Sequence, residues 1–412
     1  MDAAVGNRAT LAWSRMQTQF PAELASTVAH SGSTAASRVT VADPGRVSRS
    51  VLPQIETGIG GEVRLVHDPR DRYRSLGVVG EGGMGVVERA EDVDIGRPVA
   101  IKRLLPEATH PLGVARFVGE VRIVGSLEHP NVVPIHDVGL DADGRYFFVM
   151  KYVEGHTLGE IIDKLRRGDP EAHLAWPFER RAEIVISVLR ALAYAHDRGI
   201  VHRDIKPDNI MIGRFGEVWL MDWGIAKKMD EPDPGVPTGR DGDPTAGLIG
   251  TPAYMSPEQV RCEPLDARSD LYAVAVVLHE FIGLEHYLSH RADNLAVLLE
   301  AVETEIPACR GPGAYANPHQ GPPPIELQFV VGRGLQKDPR NRYQSAGEML
   351  EGIRAYLEGR GEVRCVFSFT KRAVRESGHI FDRHPRLGLA LYFGIIGLAL
   401  VGLVALLTLL IS

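Results

Sequence analysis

The chain has 412 residues, 44% of them hydrophobic and 24% charged, which is ordinary for a folded soluble protein and long enough for two or three domains. A formal charge of −7 leaves no basic excess, so the composition argues against a nucleic-acid partner. Three widely spaced cysteines, Cys262, Cys309 and Cys365, form neither a disulfide framework nor a zinc-ligand pattern and fit a reducing compartment.

Residues 1–70 are rich in Ala, Ser, Thr, Val and Gly and show no sustained period. The first twenty lack the apolar run of a signal peptide, because Asn7, Arg8, Ser14, Arg15 and Gln17 interrupt it. This arm is expected to be disordered or weakly structured, either a solvated leader or a regulatory docking segment.

Residues 74–79 read as a strand, followed by Gly80, Glu81, Gly82, Gly83 and Gly85 and then a second extended run through Val87. A G-x-G-x-x-G alone is weak, since dinucleotide folds and ordinary turns share it. A dinucleotide fingerprint opens a helix, however, and this one opens a strand. A hairpin lid is therefore expected, its glycines letting backbone N–H groups approach phosphate oxygens and Val87 covering a base. Lys102 ends the apolar run 99–102, 22 residues after Gly80. It is either a snorkelling edge lysine or a phosphate ligand, and the second role needs an anionic partner. The next helical pattern, about 113–127, places Glu120 on its inward stripe with Phe117 and Val124, where an unpaired carboxylate is disfavoured. Glu120 is the assigned partner. The alternative, Glu128, stands where the helix has already stopped before Pro130. Residues 146–150 read as a buried strand leading into Lys151, Tyr152 and Val153.

A helix over about 176–198 leads to the most informative stretch, IVHRDIKPDN at 200–209, with MDWG at 221–224. Asp204, Lys206 and Asn209 fall within six residues and Asp222 comes 18 after Asp204. An acid, a lysine, an amide and a second acid are the inventory that holds two magnesium ions and orients a hydroxyl against a triphosphate. Any one of them alone would read as a polar surface loop. The segment from Asp222 to Glu258 is long and rich in Pro, Gly and acids, among them Asp230, Glu231, Asp233, Asp241 and Asp243. An apolar helix begins near Asp266, residues 311–324 read as a proline-rich surface loop, and residues 344–357 read as a closing helix.

Residues 387–411 carry no charge. As a helix this run would be ~37 Å long, enough to cross a hydrocarbon core of about 30 Å. Lys371, Arg372, Arg375, Arg383 and Arg386 lie on its N-terminal side, which places the preceding residues in the cytoplasm. The expected organisation is an arm (1–70), a folded domain (71–358), a basic juxtamembrane segment (359–386) and a single-pass membrane helix (387–411). Ala390 and Gly394 form a small-xxx-small pair that would suit pairing of two copies.

Taken together, GEGGMGVV, VAIK, HRDIKPDN and DWG resemble the protein-kinase signature set, in its bacterial, eukaryotic-like serine/threonine branch, from about residue 73 to 357. The resemblance implies a two-lobed α+β fold with a small β-rich N-lobe and a larger helical C-lobe, here followed by the C-terminal transmembrane helix. It implies Mg2+-ATP as cofactor and protein Ser/Thr hydroxyls as acceptors, in signalling from the cytoplasmic face of a membrane. Asp204 is then the catalytic base, Lys206 neutralises charge on the transferring group, and Lys102 reaches the α- and β-phosphates. Asn209 and Asp222 ligate metal. Gly80, Glu81, Gly82, Gly83, Gly85, Val87, Ala100, Lys102, Glu120, Met150, Lys151 and Val153 make up the nucleotide site, with Met150 as gatekeeper and the backbone of Lys151 and Val153 reading adenine.

Three residues depart from the family pattern. Lys151 replaces a usual glutamate, and little effect is expected if backbone atoms read the base. Trp223 replaces phenylalanine and is expected to pack near Val124 and His202. Ser256 replaces alanine before Pro257 and Glu258, and Glu258 is expected to pair with Arg342. Thr245 occupies the usual autophosphorylation position, with Thr238 weaker, and its phosphate would meet Arg203. Thr251 is expected to bond near Asp204 and Lys206. Asp270 either braces the backbone at His202 and Arg203 or caps its helix. Two other readings stay open, a scaffolding pseudokinase and a small-molecule kinase. Retention of the catalytic set disfavours the first and the 250–258 segment disfavours the second. Since only Ser412 follows the apolar run, no external sensor is expected, unlike many relatives.

Overall fold

The computed structural model describes residues 54–57, 63–66, 71–82, 85–228, 250–291, 295–305 and 319–360. Gly83, Thr238, Thr245, the acidic residues 230–243, Cys309, Cys365, the basic segment beyond Arg360 and the apolar run 387–411 lie outside the described residues.

Two short strands, β1 (Gln54–Thr57) and β2 (Val63–Val66), pair antiparallel inside the stretch for which no element was expected. The signal was there in the sequence, Gly58, Gly60 and Gly61 between two four-residue runs.

The N-lobe is a five-stranded antiparallel sheet in the order β3 (Tyr73–Glu81), β4 (Gly85–Asp92), β5 (Arg97–Leu104), β7 (Tyr146–Lys151), β6 (Ile135–Leu140). Period-two alternation along β5 divides its side chains between two faces. Val99 and Ile101 join Ala90, Phe147 and Val149 in one cluster, while Ala100 and Leu104 join Phe117, Phe148 and Met150 in another. Lys102 therefore points to the second face, on which helix α1 (Pro111–Ser126) lies. That helix begins two residues earlier than expected because Pro111 occupies its first position and the His110 Nδ1 accepts the Gly113 N–H at 3.1 Å. Phe117, Glu120 and Val124 are its buried stripe.

Past residues 151–154, the hinge between the two lobes, come strand β8 (Gly155–Thr157), helix α2 (Leu158–Arg166), entered through a Thr157–Glu160 capping box, and short helix α3 (Pro170–Ala175). Helix α4 (Phe178–Asp197) then runs through the C-lobe with ten buried residues, and Pro177 sets its start. Strands β9 (Ile200–Val201), β10 (Ile210–Gly213), β11 (Val218–Leu220) and β12 (Lys227–Lys228) follow. β10 pairs with both β11 and β8, and β12 pairs with β9. The stretch 202–209 thus hangs between two anchored strands, and Asp222 lies two residues beyond the end of a third. Short helix α5 (Pro257–Val260) precedes α6 (Ala267–Gly283), which is buried almost throughout. Helices α7 (Leu295–Thr304), α8 (Ile325–Gly334) and α9 (Ala346–Leu357) complete the lobe. Among the described residues no helix is long and apolar enough to cross a membrane.

Candidate active site

Lys102 and Asp222 are 120 positions apart in sequence and meet at the cleft between the lobes. The Lys102 ammonium donates to the Glu120 Oε1 at 2.7 Å and to the Asp222 Oδ1 at 3.2 Å. Burial alone would lower the lysine, but the Asp222 and Glu120 carboxylates outweigh it and hold it well above its ordinary value. Asp222 is depressed, chiefly by Lys102. Glu120 is raised by burial, with Lys102 pulling against that rise. The three differ in access. Glu120 is 4% exposed, whereas 47% of the Asp222 side chain faces the cleft. Gly224 backs onto both carboxylates, since a Cβ there would lie 3.2 Å from the Asp222 Oδ1 and the Glu120 Oε2.

The glycine-rich turn is a strand hairpin, closed by the Gly82 N–H to the Gly85 carbonyl at 2.9 Å. Gly85 has a packing reason to be glycine, because a Cβ would sit 2.6 Å from the Arg103 carbonyl oxygen. Gly80 faces open space. Beneath this lid, Val87 pairs in register with Lys102, and Ala100 with Met150. Val87, Ala100, Met150 and Val153 pack in one apolar cluster with Met221, which the sequence reading passed over. Its signal was its place directly before Asp222, at the end of an apolar strand. The Lys151 N–H is taken by the Pro134 carbonyl at 3.1 Å, so of the two backbone groups expected to read a base there, only its carbonyl could do so.

The C-lobe half of the site is a hydrogen-bonded knot around Asp204. The Lys206 ammonium donates to the Asp204 Oδ2 and to the Thr251 Oγ1, both at 2.9 Å. Thr251 donates its N–H at 3.0 Å and its hydroxyl at 2.8 Å to the Asp204 Oδ1. The Asn209 amide donates to the Asp204 carbonyl at 2.8 Å, which turns its own carbonyl oxygen away from that contact. Its backbone carbonyl accepts the Met221 N–H at 2.9 Å, bringing Asn209 beside Asp222. A half-exposed carboxylate with a buried amide oxygen beside it would suit a magnesium ion that also takes phosphate and water oxygens.

Of the four non-glycine residues with positive φ among the described residues, two lie here. Arg203 has φ 73° and Asp222 φ 57°, left-handed values that a non-glycine residue holds only when its surroundings impose them. For Arg203 the imposing group is Asp270, whose carboxylate accepts the His202 and Arg203 N–H groups at 2.9 Å each. The cap of α6 is Asp266, which accepts the Arg268 N–H, so Asp270 is the brace and not the cap. His202, fully buried, is pushed down in pKa chiefly by burial, and its Nε2 donates to the Met221 carbonyl at 3.1 Å. Trp223 is buried with its ring 4.5 Å from the His202 ring and packs in the cluster that holds Val124.

Farther from the cleft, Arg342 grips Glu258 through two bonds of 2.7 and 2.8 Å, and Ser269 donates to the same carboxylate at 2.7 Å. These bonds outweigh burial and depress Glu258. Ser256 replaces alanine for a local reason, since its hydroxyl accepts the Gln259 N–H and caps α5.

The sequence model of the protein kinase domain matches residues 73–351. The chain is 39% identical over 292 residues to a probable serine/threonine-protein kinase of Streptomyces coelicolor, covering 70% of this chain and 40% of that protein. It is 33% identical over 312 residues to the serine/threonine-protein kinase PknD of Protochlamydia amoebophila, covering 72% and 31%. It is 36% identical over 296 residues to the serine/threonine-protein kinase PknB of Mycolicibacterium smegmatis, covering 70% and 43%. In each case the match spans less than half of the relative's length.

Proposed function

The chain belongs to the protein kinase family, and from that premise we propose that it transfers the γ-phosphoryl group of ATP to serine and threonine hydroxyls of proteins. The observation that carries this reading is the convergence of Lys102, Glu120 and Asp222 with Asp204, Lys206 and Asn209 on one cleft. Asp204 accepts or steers the proton of the incoming hydroxyl, and Lys206 and Lys102 bring positive charge to the transferring and the α,β-phosphates. Asn209 and Asp222 would hold magnesium, whose charge offsets that of the phosphates when bound. The hairpin lid closes over the phosphates and the apolar cluster around Met150 takes the base. Thr251, bonded to both Asp204 and Lys206, ties the 250–258 segment to the catalytic pair and suits a peptide acceptor. Transfer of labelled γ-phosphate to protein substrates tests the reading. Turnover in Asp204→Asn equal to that of the unaltered protein would overturn it.

Three finer readings belong to the same proposal. The enzyme phosphorylates Thr245, and the phosphate orders its segment against Arg203. Mass spectrometry of the protein and of Asp204→Asn tests this, and a modified Thr245 in the mutant would assign the reaction to another kinase. The uncharged run 387–411 anchors the kinase to a membrane from its cytoplasmic side, supported by the basic residues preceding it. Deletion after Pro385 should release active enzyme from membranes, and retention there would reject a sole anchor. Paired copies of that helix would bring two kinase domains together, which crosslinking with and without Gly394→Leu would test.

A further inference from the structure

Lys151 and Trp219 take no part in the transfer geometry, yet they make a specific contact. Lys151 ends β7 at the hinge, with its N–H fixed to the Pro134 carbonyl. Its ammonium lies 4.4 Å from the centre of the Trp219 indole. Trp219 is the middle residue of β11, in register with Met211. Two residues on, Met221 is bonded to Asn209, and Asp222 follows. Trp219 also packs against the apolar cluster that contains Ala100 and Met150, together with Val87, Val153 and Met221.

A cation over an indole face is attracted by the ring's negative π-cloud, and a carboxylate in the same place is repelled. Lysine at 151 is thus matched to tryptophan at 219 in a way the glutamate usual at that position in the family would not be. The contact joins the segment proposed to read the base to the strand that ends two residues before Asp222.

We propose that the Lys151–Trp219 stack is a positioning device that holds the hinge in its nucleotide-binding shape and couples it to the segment carrying Asp222. This rests on the Mg-ATP reading given above. Without the stack, the binding-competent hinge is a smaller fraction of the population, and apparent affinity for the nucleotide falls by that fraction.

The test is calorimetric titration of the whole protein with Mg-ATP, alongside steady-state kinetics. Lys151→Met and Lys151→Glu should raise the Kd and KM for ATP about 3- to 30-fold, a larger change than any they make in kcat. Lys151→Arg, which keeps the cation, should return both to within about twofold of the unaltered protein. Trp219→Leu should match Lys151→Met, and the double variant should be no worse than either single one. The Met, Glu and Arg series decides the matter by itself if Trp219→Leu does not fold. An unchanged Kd in Lys151→Met would make Lys151 an ordinary solvated lysine, and failure of arginine to rescue, or a fall in kcat as large as the rise in KM, would mean that the cation over the indole is not what positions the hinge; each result overturns the proposal. Protein that binds Mg-ATP but transfers no phosphate would overturn the kinase reading alone, and the Kd series would still decide this one.

Discussion

Two buried carboxylates in this molecule each hold a cation, and the two pairs are built for different ends. Glu258 is gripped by an arginine fork whose side chain is 0% exposed, stacks on Tyr272 at 4.9 Å and donates also to the carbonyls of Gln336, Arg268 and Lys337. Every donor of that guanidinium is committed, so the pair fixes one arrangement of α5 against the far end of the lobe. Glu120 is held by a lysine, a point charge on a flexible stem, which divides itself between Glu120 and the half-exposed Asp222. In the proposed reaction, a lysine shared in this way would exchange Asp222 for phosphate without dismantling the fold. The residue type therefore separates a structural pair from a working one, although both carboxylates are buried.

The sharpest way to break this comparison is to remove each cation and ask what is lost. Lys102→Met and Asp222→Asn should each reduce phosphoryl transfer by roughly a thousandfold or more, while the thermal midpoint moves by only a few degrees, because Glu120, already raised by burial, can take up a proton when the lysine is gone. A collapse of stability in Lys102→Met would make its pair structural as well. Arg342→Ala leaves a buried carboxylate with no counter-charge and should cost about 3–5 kcal/mol of stability, read from urea unfolding. Loss of activity with stability intact would reverse the assignment.

Asp270 stands between these two cases, a buried carboxylate that serves the site through backbone groups. Asp270→Ala removes the acceptor that holds Arg203 at positive φ, and kcat should fall about a hundredfold with little change in KM for ATP. Steady-state kinetics on the purified variant would show it.

Acid should separate the two pairs by sign. Glu258 is depressed in the fold, so its stabilisation is present above its unfolded value of 4.5 and disappears as pH falls through the lower folded value. Glu120 is raised by burial, so its ionisation opposes folding at neutral pH, and that penalty is relieved as pH falls toward 4.5. Lys102→Met should therefore gain stability between pH 7 and 5 relative to the unaltered protein, whereas Glu258→Gln should not. Urea midpoints across that range would reveal the opposite slopes or their absence. The smallest effect is expected from Trp223→Phe, which shrinks a buried ring without removing a catalytic group. It should cost about 1–2 kcal/mol of stability and change transfer by less than about threefold.

Much of the site was legible in the chain because its chemistry is written in short, ordered runs. Asp204, Lys206 and Asn209 lie within one turn of chain, and a hairpin-forming glycine pattern needs only local spacing. Glu120 could be singled out because a carboxylate on the buried stripe of an amphipathic helix demands a partner. Lysine 151 was read as inconsequential from the same chain, since its partner Trp219 is 68 positions away and nothing local announces it. Met221, by contrast, carried a local signal in its place directly before Asp222, and only the packing shows that it joins the cluster around Met150.

The sequence by itself determined which elements form and which residue types are available, because period, capping and glycine placement act over a few residues. It carried the alternation that points Lys102 to one face of its strand and the stripe that turns Glu120 inward. Only the tertiary structure decided which of those charges meet, that Asp270 braces Arg203 while Asp266 caps the helix, and that the Lys151 ammonium rests on an indole. Those outcomes depend on packing between distant segments, where a shift of a single residue in register would send the same side chains to opposite faces.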